Sequence, residues 1–201
     1  MERNDPRLAE QTRAERERLS TIFDDLNPAQ WSAVSLCEGW RIREVLAHLT
    51  MPFRLSGPRF FGGMVRARFR FDAFADRDAR RATAAMADRE LAALYRSNIE
   101  HPWRPPGGGR AGALSHEVVH GLDITEPLGL PAPPAERIGL VLSAAGSRSF
   151  AYFGVDLAGR RLVATDADAA VGDGAELRLP AKDLLLVVTG RRSLAEATEG
   201  M

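Results

Sequence analysis

A chain of 201 residues, 45% of them apolar, is long enough for one medium domain, or a main domain with an appendage, and can build a core without staples. Its 27 basic and 27 acidic residues cancel, which gives nucleic-acid binding no electrostatic support. The single cysteine, Cys37, excludes an internal disulfide and a zinc site of paired thiolates, and no run reaches the roughly 18 apolar residues of a membrane span.

The charged opening, MERNDPRLAEQTRAERERLS, lacks the apolar centre of a signal peptide, so a cytoplasmic protein is expected. A first helix is predicted from Asn4–Asp5 to Leu26, with Pro6 in the first turn where its missing N–H does no harm. Asn27–Pro28 punctuates it. Gly39 leads into a second helix on which Ile42, Val45, Leu46, Leu49 and Phe53 recur at helical spacing, and Pro52 is expected to bend or shorten its far end. From Phe60 to Arg81 the chain is rich in Arg and Phe. ADRELAALYRSNI then reads as a short helix with Asp88 near its cap. EHPWRPPGGGRAG is the clearest break, since Pro and Gly together argue against helix and central strand.

The helix carrying LSHEVVHGLDI follows and ends at GLPAPPAE. One more helix, about Ala135 to Ser149, closes the helical part. From Tyr152 the period changes: RRLVATDA and AELRLP read as strands around the turn signal AAVGDGA, and AKDLLLVVTGR as a helix capped by Gly190. The expected architecture is mainly α, a helical bundle over residues 1–149 with a small α/β module over 150–201.

The candidate chemistry lies in the histidines. His116 and His120 are four apart, hence one turn apart on one helix face, and can share an ion. Leu114, Val118 and Leu122 mark the buried stripe of that helix, with His116, His120 and Asp123 grouped beyond its edge. His48 sits at the border of the apolar stripe of the second helix. Ligands on facing helices of a bundle are a common arrangement. HEVVH also spells the zinc-peptidase signature, in which Glu117 would be the general base. That reading is disfavoured, because no histidine follows His120 and the metzincin position falls at Glu126, where Pro127 and Gly129 end the helix. His101, in its Pro-flanked loop, is the one candidate for a fourth ligand. Cys37, in a turn with no histidine beside it, reads as an ordinary small apolar residue.

GWRIREVLAHLT (Gly39–Thr50) and VVHGLDITEPLG (Val118–Gly129) resemble, respectively, the tryptophan-to-histidine helix and the histidine–aspartate helix end of the mycothiol-dependent maleylpyruvate isomerase family, within the DinB-like metalloprotein superfamily. LVATDADAAVGDGAELRLPAKDLLLVVTGR resembles the short module often attached to such proteins. The resemblance implies an up-down four-helix bundle with His48, His116 and His120 as ligands of a divalent metal, Zn²⁺ first and Ni²⁺ as the alternative. It implies mycothiol as the thiol cofactor and a small electrophile as substrate, in thiol transfer or cis–trans isomerisation, since metal coordination deprotonates a thiol.

Asp123 matches a family aspartate and reads either as an acceptor for a ligand imidazole or as a local polar cap. Arg191 reads either as a carboxylate-holding group or as complement to a helix dipole. Trp103 and Arg110, in WRPPGGGR, read as pocket rim or as parts of a flexible connector. The rival reading is a non-catalytic metal-binding or regulatory bundle with a closed site. Neither nucleic acid nor membrane is expected as a partner, and a homodimer is the oligomer considered.

Overall fold

The computed structural model describes residues 5–144, 153–157 and 159–199. Among them the chain forms α1 (Pro6–Asp25), α2 (Pro28–Ser32), α3 (Ile42–Arg54), α4 (Gly57–Arg66), α5 (Phe71–Ala85), α6 (Asp88–Arg96), α7 (Gly109–Thr125) and α8 (Ala135–Ala144). These are followed by β1 (Arg160–Ala164), β2 (Ala170–Gly172), β3 (Ala175–Leu179), α9 (Ala181–Val188) and α10 (Leu194–Thr198). The mainly α architecture with a small sheet near its end agrees with the sequence pattern. Asn4, Ser149, Tyr152 and the expected boundary at 149/150 lie outside the described residues.

The chain forms two compact units: Met1–Thr12 with Arg104–Leu122 and Pro131–Met201, and Arg13–Trp103 with Asp123–Leu130. In the second unit α3 is the central element. Its apolar positions Ile42, Val45, Leu46, Ala47 and Leu49 join Leu19 and Phe23 of α1, Trp31 of α2, Ala79 and Ala82 of α5, Leu91 and Tyr95 of α6, and Ile124 in one core. Fully burying each large side chain of this set contributes about 1.5–3 kcal/mol against the entropy of ordering it.

Both ends of α3 are fixed by side chains. At the start, the Arg41 N–H donates to Glu44 at 3.0 Å, and the Arg41 guanidinium binds the same carboxylate at 2.6 and 2.9 Å. Near the end stands Pro52, which has no N–H for the carbonyl four residues back, that of His48. The helix nevertheless continues to Arg54. The Arg54 guanidinium donates to the Ala47 carbonyl at 2.8 Å and the Thr50 hydroxyl at 3.0 Å, and pairs with Asp78 at 2.5 Å. These bonds hold the last turn in place.

The Arg- and Phe-rich segment becomes two helices, α4 and α5, joined through Arg68 and Phe69 at φ 53° and 59°. The glycine-rich break is shorter than its composition suggests, because α7 begins at Gly109 and includes Gly112. A Cβ on Gly112 would lie 2.7 Å from Pro105 Cγ. Glycine serves there as a place for the proline to pack rather than as a helix breaker. At the far end Gly129, with φ 62°, closes the chain reversal by its own N–H to Glu126 and the Leu130 N–H to Thr125, at 3.1 and 3.0 Å. This is the glycine stop expected of such a sequence.

In the first unit, α9 packs on α8 and β1, and α8 packs on β2. The sheet order is β2-β1-β3, with β2 antiparallel and β3 parallel to β1. The stretch AAVGDGA is therefore more than a turn, since its first residues form β2. Gly174, at φ 115°, has no room for a side chain: a Cβ would sit 1.9 Å from the Gly159 carbonyl oxygen. Gly190 ends α9 as predicted, with φ 71°, its N–H bonded to Val187 and the Arg191 N–H to Leu186.

Candidate functional site

His48 lies in the middle of α3 and is 4% exposed. Its ring centroid is 5.4 Å from that of Trp40 and 6.3 Å from that of Phe71. Trp40 is held there by its indole N–H, which donates to Asp76 of α5 at 2.9 Å; Arg80 donates to the same oxygen and also to the Gly39 carbonyl. The imidazole thus has an aromatic wall whose orientation is set by a carboxylate.

The loop before α3 is tightly folded. Val34 bridges Arg41, the Ser35 N–H donates to the Trp40 carbonyl, and the Ile42 N–H to that of Ala33. The Ser35 hydroxyl accepts from the Cys37 N–H at 3.1 Å and donates to the Trp40 carbonyl at 2.9 Å. Gly39, at φ 74°, supplies the left-handed residue that the reversal needs.

This loop presents Cys37 to the end of α7. The thiol donates to Asp123 Oδ2 at 3.0 Å, and the Leu36 N–H donates to the Asp123 main-chain carbonyl at 3.1 Å. Asp123 is fully buried and Cys37 half-buried. Cys37 packs against the α3 core as the apolar reading expects, and its sulfur is in addition a hydrogen-bond donor to a buried carboxylate. The partner stands 86 residues away, and no local pattern pointed to it. The available signal was the turn itself, Ser35 to Trp40 around Gly39.

On α7, Leu114, Val118 and Leu122 form the buried stripe that helical spacing predicts, and His116 and His120 stand half-buried beside it. Their ring centroids are 5.0 Å apart, nearly perpendicular. Glu117, between them in sequence, is 1% exposed.

The remaining candidates have other surroundings. His101 packs against Phe53 with ring centroids 5.0 Å apart and tilted, and its Nδ1 accepts from the Trp103 N–H at 3.2 Å. Burial, and then the nearby Arg16 cation, hold its pKa below the usual histidine value. Arg16 itself donates to the carbonyls of Ile99 and His101 and lies over the Phe53 ring. His101 therefore belongs to this Arg16–Phe53 cluster, and among the described residues it joins no group of ligands able to hold a metal. Arg191 donates to the Thr189 carbonyl at 2.8 Å at the end of α9 and lies over Phe153 at 5.4 Å.

Comparisons with known proteins bear on this arrangement. The model of the mycothiol maleylpyruvate isomerase N-terminal domain matches residues 12–125, which include Cys37, His48, His116, His120 and Asp123. Among solved structures, a crystal structure of a variant of the mycothiol-dependent maleylpyruvate isomerase is similar over 93% of this chain and 89% of that one, with a TM-score of 0.55 and 12% sequence identity. At that identity the likeness establishes the fold, the DinB-like helical bundle with its small α/β piece. No curated protein matches. Since the family model covers more than half of the sequence, the chain belongs to the mycothiol maleylpyruvate isomerase N-terminal domain family.

Proposed function

We propose that the protein is a cytoplasmic, metal-dependent enzyme in which His48, His116 and His120 hold one divalent cation, Zn²⁺ or Ni²⁺. In this reading a low-molecular-weight thiol, mycothiol by family membership, acts on a small electrophile by transfer or by cis–trans isomerisation. The observation that carries the proposal is the pair His116 and His120, whose ring centroids stand 5.0 Å apart on one face of α7, within a family match that also takes in His48. Ligands at bonds of about 2.0–2.1 Å in a tetrahedral site stand roughly 3.3 Å apart, a spacing that two rings one helical turn apart can meet. The donor set fits the ion, since neutral imidazoles suit both metals and leave its double charge uncompensated. When bound, such an ion supplies the acidity that turns a coordinating thiol into a thiolate at neutral pH.

The chain's own groups would orient and enclose. Trp40, fixed by Asp76, limits the positions open to His48. Asp123 and Cys37 hold the loop before α3 against the end of α7. Arg191, now bonded to a helix-end carbonyl, would need a new rotamer to receive a substrate carboxylate.

A non-catalytic metal site is the second reading, and one observation favours it. The Cys37 thiol donates at 3.0 Å to Asp123, three residues past His120 in the sequence, so a thiolate is at hand to close a fourth position. Cobalt substitution separates the two. The catalytic reading expects a sulfur-to-cobalt charge-transfer band only after mycothiol is added, in wild type and Cys37→Ala alike. A band present without added thiol and lost in Cys37→Ala would make the site closed, and failure of the protein to retain metal would end both readings.

A further inference from the structure

The segment Gly57–Phe71 holds none of the candidate metal ligands; apart from Phe71, whose ring faces His48, its side chains divide in an unusual way. The inner side of α4 turns Phe60 and Met64 onto Met51, Ala67 and Phe74. Gly63 lies so close that a Cβ there would stand 2.2 Å from the Phe74 ring. The next edge of the helix carries Phe61 and Val65, four residues apart, which are 63% and 49% exposed. Beyond the helix Phe69 is 66% and Phe71 39% exposed, and the rings of Phe61 and Phe69 meet edge-on at 6.5 Å. Arg68 and Phe69 both take left-handed backbone conformations, which bulky residues rarely adopt. Arg59, Arg66, Arg68 and Arg70 are all exposed, and no acidic residue occurs from Gly57 to Phe71.

Charge selects the occupant of this surface. A second copy meeting it across a two-fold axis would oppose four arginines with four. Aromatic side chains flanked by arginine suit the boundary between lipid headgroups and acyl chains, where rings sit at the interface and cations meet lipid phosphates. We infer that Gly57–Phe71 docks the protein peripherally on an anionic membrane surface. Phe61, Val65 and Phe69 enter the headgroup boundary, while Arg59, Arg66, Arg68 and Arg70 hold lipid phosphates. Among the described residues no helix is long and apolar enough to cross a membrane, so the attachment is lateral and reversible. The sequence pattern hid this surface because its basic residues alternate with phenylalanine and form no block.

The test is co-sedimentation of the full chain with vesicles of phosphatidylcholine alone or mixed with phosphatidylglycerol. Binding to the mixed vesicles at low salt is expected to be at least about tenfold tighter than to the neutral ones, since each arginine near such a surface contributes about fivefold. High salt should release it. The double variant Phe61→Ser/Phe69→Ser should lose at least about tenfold on mixed vesicles, by removal of inserted apolar area. Arg66→Ser/Arg68→Ser should lose a similar factor; as both pairs are exposed, their circular dichroism should match wild type. No preference for anionic vesicles, or undiminished binding by the phenylalanine variant, would overturn the inference. So would equal binding to a single-stranded oligonucleotide, or a dimer that the phenylalanine variant dissociates.

Discussion

Replacing Cys37 distinguishes two physical roles for one side chain. If the thiol were only a small apolar filler, Cys37→Ala would be nearly neutral, and Cys37→Ser would be penalised for burying a hydroxyl. The structure reverses that order. The sulfur donates to Asp123 at 3.0 Å, and Asp123 is 0% exposed, so alanine leaves a buried carboxylate with one donor fewer. Removing one partner of a buried polar group costs about 1–3 kcal/mol. For a chain of this size each kcal/mol moves the melting temperature by about 2–4 °C. Cys37→Ala should therefore melt about 2–12 °C lower. Serine keeps a donor at the same atom position, so Cys37→Ser should fall by less than half as much. The assay is thermal unfolding followed by circular dichroism, in chelator, so that metal occupancy does not enter. An alanine variant as stable as wild type, with serine the less stable of the pair, would refute the argument.

Four further outcomes are expected. Metal analysis of the purified protein should show strong loss of bound cation in His120→Ala and near-normal content, per folded molecule, in Glu117→Gln; a peptidase activity of the wild type that Glu117→Gln abolishes would restore the peptidase reading. Zn²⁺ at a hundredfold excess over its dissociation constant should stabilise wild type by about 2.7 kcal/mol, and His120→Ala far less. For His101, burial and Arg16 depress the folded pKa, so the unfolded chain takes up the proton first as pH falls. Its contribution is thus fully present above about pH 6.5 and is lost below it; metal-free urea titrations should show a shallower acid decline in His101→Asn. Finally, Gly174→Ala, whose Cβ would meet the Gly159 carbonyl oxygen at 1.9 Å, should lose more than about 2 kcal/mol. Gly107→Ala meets nothing within 4 Å and should lose only the left-handed backbone term, about 1–2 kcal/mol.

The helices that the sequence displays plainly are those whose apolar residues all face one partner. On α3 the spacing of Ile42, Val45, Leu46 and Leu49 matches a single core, and on α7 Leu114, Val118 and Leu122, at helical spacing, are all buried. On α4 the apolar residues serve two environments, Phe60 and Met64 inward and Phe61 and Val65 outward, so periodicity points to no one face. Its end is also concealed, because Arg68 and Phe69 take the left-handed positions that a reader assigns to glycine. The opposite error arises at Gly109–Gly112 and Gly172–Gly174. There glycine marks close packing, against Pro105 in one case and against the main chain of Gly159 and Arg160 in the other. Composition cannot distinguish a glycine needed for its φ from one needed for its missing Cβ.

The same distinction governs the site. A pair of histidines at i and i+4 is legible because helical geometry alone brings the rings together, and their centroids are 5.0 Å apart. His48 is legible as a polar residue at the border of an apolar stripe, since burying an imidazole in such a place calls for a partner. Trp40 and Cys37 carry no such periodic mark. Their positions follow from a loop in which Ser35, Gly39 and the Val34–Arg41 bridge fold the chain back on itself. They follow also from partners far along the chain, Asp76 for the indole and Asp123 for the thiol. Asp123 sits on a helix already recognisable in the sequence and Asp76 on one that was not, and each is reached by a donor from the loop. A short turn preceding a helix with a buried histidine is therefore a place to look for donors. A carboxylate on the border of a neighbouring helix, as Asp123 is on α7, marks where one of them lands.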